Sequence, residues 1–84
     1  MSPAGIATRR PRPGDLVRLT EHASVQFAGA RAVRLLVTGV DPRPTYEGWL
    51  WLTGYTVDDK GEAVESRQVF VQAAGLQWIK QDPG

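Results

Sequence analysis

His22 is the single imidazole of the chain, with Glu21 beside it and Ser24 two residues on. Base, carboxylate and hydroxyl are the parts of a nucleophilic hydrolase. A working triad also needs a third group that holds the base and donors that receive an oxyanion, and no second cue in the sequence supplies them. The expected role of His22 is that of a solvated loop residue. Asp58, Asp59 and Glu62 form the densest acidic group, but they lack the alternating carboxylate spacing of a calcium loop and read as turn residues. With no cysteine there is no disulfide, thiolate metal site or cysteine nucleophile. The nine glycines are dispersed, and none follows a strand to open a helix as a phosphate-binding loop requires. The expectation is a non-catalytic protein with no metal and no cofactor.

Aromatic chemistry is what remains. Gly48 to Val57 reads Gly-Trp-Leu-Trp-Leu-Thr-Gly-Tyr-Thr-Val, holding two of the three tryptophans and one of the two tyrosines. Strand side chains alternate, so Trp49, Trp51, Thr53, Tyr55 and Val57 share one face while Leu50, Leu52 and Thr56 share the other. Both faces are apolar and want cover. An aromatic side chain buries 150 to 250 Å², about 4–6 kcal/mol gross as an upper bound, so an exposed strip of three would mark a partner's place. Trp49, Trp51 and Tyr55, joined by Arg34 or Arg67 from neighbouring strands, are the candidate partner-binding residues.

The elements that must position this strip follow from turn signals. Leu16 to Thr20 reads as a first strand, with Val17 and Leu19 on one face. Glu21 to Arg31 admits a single helical turn or an irregular loop, and the loop is preferred, ending before Ala30 because of Gly29. Ala32 to Val40 is a second strand, with Val33, Leu35 and Val37 on one face and Arg34, Leu36, Thr38 and Val40 on the other. Asp41-Pro42-Arg43-Pro44 breaks it, since proline cannot donate a ladder hydrogen bond. The aromatic strand follows as the central strand, with Gly54 expected at a bulge or sharp bend. Asp58-Asp59-Lys60-Gly61 fits a type I turn whose glycine takes positive φ, closing a hairpin onto Val64 to Gln72. In that fourth strand Val69 and Val71 face one way and Phe70 the other. Ala73-Ala74-Gly75 is a tight connector to a brief fifth strand, Leu76 to Ile79.

This order, with Pro13-Gly14-Asp15 before the first strand and Ala73-Ala74-Gly75 before the last, resembles the SH3-like small β-barrels, which include SH3, Tudor, chromo-barrel and KOW-type modules. The resemblance covers about residues 14–80 and implies an all-β, five-stranded barrel; ahead of it, prolines and arginines without apolar periodicity read as a disordered arm over residues 1–13, and residues 81–84 read as a frayed tail. Type II dihydrofolate reductases are SH3-like barrels that tetramerise around a shared pore and carry a Val-Gln-Ile-Tyr motif late in the chain. At the matching place this chain has Val69-Phe70-Val71-Gln72, without the tyrosine, so a reductase is not implied.

Charge divides the chain. Arg9, Arg10 and Arg12 fall in the first dozen residues, leaving seven basic against nine acidic side chains beyond them. A protein partner or a second copy therefore suits the slightly acidic barrel. The alternative is a nucleic acid, its phosphates gripped by Arg9, Arg10 and Arg12 and its bases stacked on the aromatic strip. No stretch resembles a signal peptide or approaches the roughly 20 apolar residues of a membrane span, so the cytoplasm is the expected location, away from membranes.

Overall fold

The computed structural model describes residues 10–79, so Arg9 and the tail from residue 80 lie outside it. Five strands form one antiparallel sheet: β1 (Leu16–Leu19), β2 (Val33–Val40), β3 (Trp49–Val57), β4 (Ala63–Gln72) and β5 (Gln77–Ile79). The all-β expectation holds, with each strand within a residue or so of its expected bounds. The order across the sheet is β4-β3-β2-β1-β5, so the centre is β2 and not the aromatic strand. Among the described residues β4 and β5 do not pair, and the sheet is not closed into a barrel.

One face of the sheet makes the core. Val17 and Leu19 of β1, Leu35 and Val37 of β2, Leu50 and Leu52 of β3, and Val69 and Val71 of β4 are buried in a single cluster. In a flat sheet β4 and β5 would stand about 19 Å apart, at roughly 4.8 Å per strand. Trp78 of β5 nonetheless packs on the same cluster as Val69 and Val71, so the sheet curls over its inner face. Phe27, 1% exposed, fills the space the curl leaves.

Phe27 comes from the long first connection, which is neither a single helical turn nor an irregular loop. It holds two 3-10 turns, Val25–Phe27 and Gly29–Arg31. Ser24 caps the first by accepting from the Gln26 N–H, and Gly29 at φ 59° starts the second instead of ending the segment. The connection is tied to the sheet where Gln72 donates its N–H to the Ala23 carbonyl at 2.7 Å. Gly75 passes so close to His22 that an added methyl would lie 2.6 Å from the Ala23 nitrogen.

Two bulges set the faces. In β2 the register shifts between Val37 and Gly39, making Thr38 the extra residue. Val40 is therefore turned onto the core face, with Val33, Leu35 and Val37, and not onto the Arg34 face expected from strict alternation. Gly54 sits opposite this bulge, and a methyl there would drive into the Leu36 carbonyl and lie 3.1 Å from Leu35 Cγ. In the β3–β4 hairpin, Gly61 at φ 83° closes the turn by donating to the Asp58 carbonyl at 2.9 Å. Beyond it Val57 pairs with Ala63 but Thr56 with Glu65, leaving Val64 as the extra residue.

Candidate interaction surface

The Val64 bulge decides what the tryptophans meet. Without it Trp51 would face Val69; with it Trp51 pairs with Phe70 and Leu52 with Val69. The leucines thus enter the core, Leu52 at 0% and Leu50 at 6% exposure, and the indoles stay outside, half-buried. Phe70 lies between them. Its ring centroid is 5.0 Å from Trp49 in a stacked pair and 4.9 Å from Trp51 in a tilted one. Such pairs contribute about 0.5–1.5 kcal/mol beyond area burial.

The loop from 41 to 48 frames the cluster. Asp41 continues the ladder by donating its N–H to the Trp51 carbonyl at 3.0 Å. Its carboxylate receives the Arg43 N–H at 2.8 Å and the Arg43 Nε at 2.9 Å. This clamp, above all the side-chain hydrogen bond from Arg43, holds the Asp41 carboxyl below its ordinary range. It also places the guanidinium 5.8 Å from the Trp51 ring centroid, within cation–π reach. At the other end Thr45 donates its hydroxyl to the Trp49 carbonyl at 2.6 Å. The Trp49 N–H reaches back to the Tyr46 carbonyl at 2.9 Å across Gly48, whose φ of 84° the turn requires.

The remaining expected site residues separate. Tyr55 is on the same face and 43% exposed, but four residues from Trp51, about 13 Å along the strand. Its neighbours across the sheet are Leu36 and Ser66. Leu36 is followed by Leu16 and then Ile79, so Tyr55 ends a second row of partly exposed side chains. Arg34 lies on this face too, but its guanidinium donates to the Asp58 carbonyl and sits 3.7 Å from Asp59. Arg67 does not join the strip. It pairs with Gly54 on the opposite face and covers the Phe27 ring at 5.5 Å. Arg10 and Arg12 are exposed, Arg12 beginning a turn closed by the Asp15 carboxylate at 2.8 Å.

The residues with the makings of a hydrolase or a calcium loop make local contacts within their own turns. The Ser24 hydroxyl accepts from Gln26, and the His22 N–H donates to Thr20 Oγ1 at 3.2 Å. Asp58 Oδ1 accepts from the N–H groups of Lys60 and Glu62, both at 2.9 Å. Among the described residues there is no cavity, and no group of three or more His, Cys, Asp or Glu side chains stands within reach of one ion. No helix among them is long and apolar enough to cross a membrane.

Phe70 and Arg43 are the members of the cluster not foreseen from the sequence. Phe70 shows the signal of alternating with Val69 and Val71, but its partner depends on the Val64 bulge. In the sequence Arg43 belongs to a strand-breaking loop, and only the Asp41 clamp brings it to Trp51. Compared with protein-family models, curated proteins and solved structures, the chain matches none.

Proposed function

We propose that this protein is a non-catalytic binding module whose outer sheet face, centred on Trp49, Trp51 and Phe70, receives a protein or peptide partner. The observation that carries the reading is the placement of the aromatics. The core is complete with Leu50, Leu52, Val69 and Val71, so the two indoles and the phenyl ring between them are additional to it. Aromatic residues and arginine are the residue types that dominate binding energy at protein interfaces. Element order, the 3-10 turn before β5 and the curled sheet support an SH3-like layout for the module. The cytoplasm is its proposed location.

Nucleic acid is the second reading, favoured by the exposed Arg10 and Arg12. It is the weaker one, since Asp41 occupies Arg43, the arginine over Trp51, and Arg34 lies at the far end of β3 against Asp59.

The test is selection of displayed peptides on the wild-type protein, with the Trp49→Ala/Trp51→Ala variant as counter-target. The expected result is a set of peptides that bind the wild type and not the folded variant. Peptides that bind both equally would overturn the reading.

A further inference from the structure

β4 is ten residues long and forms one edge of the sheet, whereas the opposite edge, β5, has only three. In an antiparallel ladder, alternate residues turn their N–H and C=O groups towards one neighbour and then the other. Gln72 donates away from β3, to Ala23, and so fixes the parity: Phe70, Gln68 and Ser66 also turn their peptide groups outward. Gln72 is occupied. The N–H groups of Phe70, Gln68 and Ser66 have no hydrogen-bond partner among the described residues. Long exposed edges of this kind template the addition of another strand unless proline, charged side chains, a bulge or a covering loop blunts them. β4 has no proline or lysine, its bulge at Val64 precedes the open stretch, its inward charge Arg67 is held over Phe27, and the first connection hydrogen-bonds this edge at Gln72.

We infer that this edge pairs with β4 of a second copy, antiparallel about a two-fold axis at Gln68. Three observations select a second copy. The three open positions are evenly spaced, so Gln68 meets Gln68 and Ser66 meets Phe70 in both directions, and every outward group is used. β4 carries one acid, Glu65, and one base, Arg67, so the strand is neutral and no like charges face each other in that register. The pairing also sets Phe70 of one copy beside Ser66 of the other, on the side away from Tyr55. The aromatic cluster of each copy then continues across a small serine into the row of Tyr55, Leu36, Leu16 and Ile79 in its partner.

The pairing deepens the proposed binding role by naming the partner of the edge, and its test leaves the indoles untouched. Sedimentation velocity on the full chain, from about 10 µM to about 1 mM, is expected to show a dimer forming, a range suited to a modest interface. Amide exchange at Ser66, Gln68 and Phe70 is expected to slow as the dimer forms, while Val69 and Val71, within the β3 ladder, change little. Gln68→Pro removes an outward donor and no ladder bond, so a folded monomer is expected. Gln68→Lys and Gln68→Glu each place like charges across the axis and are expected to weaken the dimer roughly three- to five-fold; mixing the two restores it. A wild type that stays monomeric throughout, or a dimer unchanged in folded Gln68→Pro and in both charged variants, would overturn the pairing. Neither result bears on peptide binding by the indoles.

Discussion

At the scale of single residues, each side chain on the outer face is held by a local contact that can be cut separately. Asp41 is the sharpest case, because its carboxyl is depressed by the Arg43 clamp. A depressed acid favours the folded loop above its unfolded value and loses that contribution as pH falls through the lowered folded one. Carbon-detected NMR titration of Asp41 should therefore give a midpoint below 3.8, the ordinary value, and Arg43→Ala should raise it towards that value. Equal midpoints in the two proteins would show that the clamp does not persist in solution. The contrast between neighbours in β3 is equally testable. Leu52→Ala removes a fully buried side chain and should cost about 2–5 kcal/mol. Thermal unfolding of the two variants should show Trp51→Ala, on the outer face, costing clearly less, although it removes the larger side chain.

At the scale of elements, glycines and bulges govern which side chains reach the core. Gly54→Ala forces a methyl into the β2 backbone and should cost about 1–3 kcal/mol or more, lowering the melting temperature by about 4–8 °C per kcal/mol. Gly61→Ala meets no such crowding but strains a positive φ, so its cost is conformational. Deleting Val64 together with Glu65 shortens β4 by one residue more than loss of the bulge absorbs, sets Phe70 opposite Leu52 and would turn Val69 and Val71 outward. The expected outcome is loss of cooperative unfolding by near-ultraviolet circular dichroism; a native-like spectrum would mean that the register is recovered elsewhere in the hairpin. The strands were legible in the sequence because turn chemistry bounds them: Asp58 to Gly61, Asp41 to Pro44 and Ala73 to Gly75 each stand where a strand ends. The leucine and tryptophan faces of β3 were legible from alternation. Which face is core was not, since both are apolar and β4 could cover either, depending on one bulged residue. Val40 was misassigned for the same reason, by the bulge at Thr38. The face of Arg67 is not legible without the β3–β4 register: pairing with Gly54 sends it to Phe27, away from the aromatics.

At the scale of the whole molecule, a small sheet curls over one core and leaves a half-buried aromatic cluster outside it. Charge separates the two readings of that cluster. A titration with mixed-sequence DNA, duplex and single strand, at low and near-physiological salt should leave the Trp49 and Trp51 indole signals in place. Shifts at both indoles and at Arg10 and Arg12 that fade steeply with salt would favour nucleic acid instead. Trp78, paired with Val17 and packed on the core, is an internal control for every such experiment. The decisive measurement is binding of one selected peptide to the wild type and to Trp49→Ala/Trp51→Ala, followed by ¹⁵N–¹H spectra. Wild type should bind with shifts at Trp49, Trp51 and Phe70 and little change at Trp78, and the variant should keep its dispersed spectrum while affinity falls at least about ten-fold, as for a hot spot. A dispersed variant with undiminished affinity would contradict the binding face, and a collapsed spectrum would place the indoles in the core.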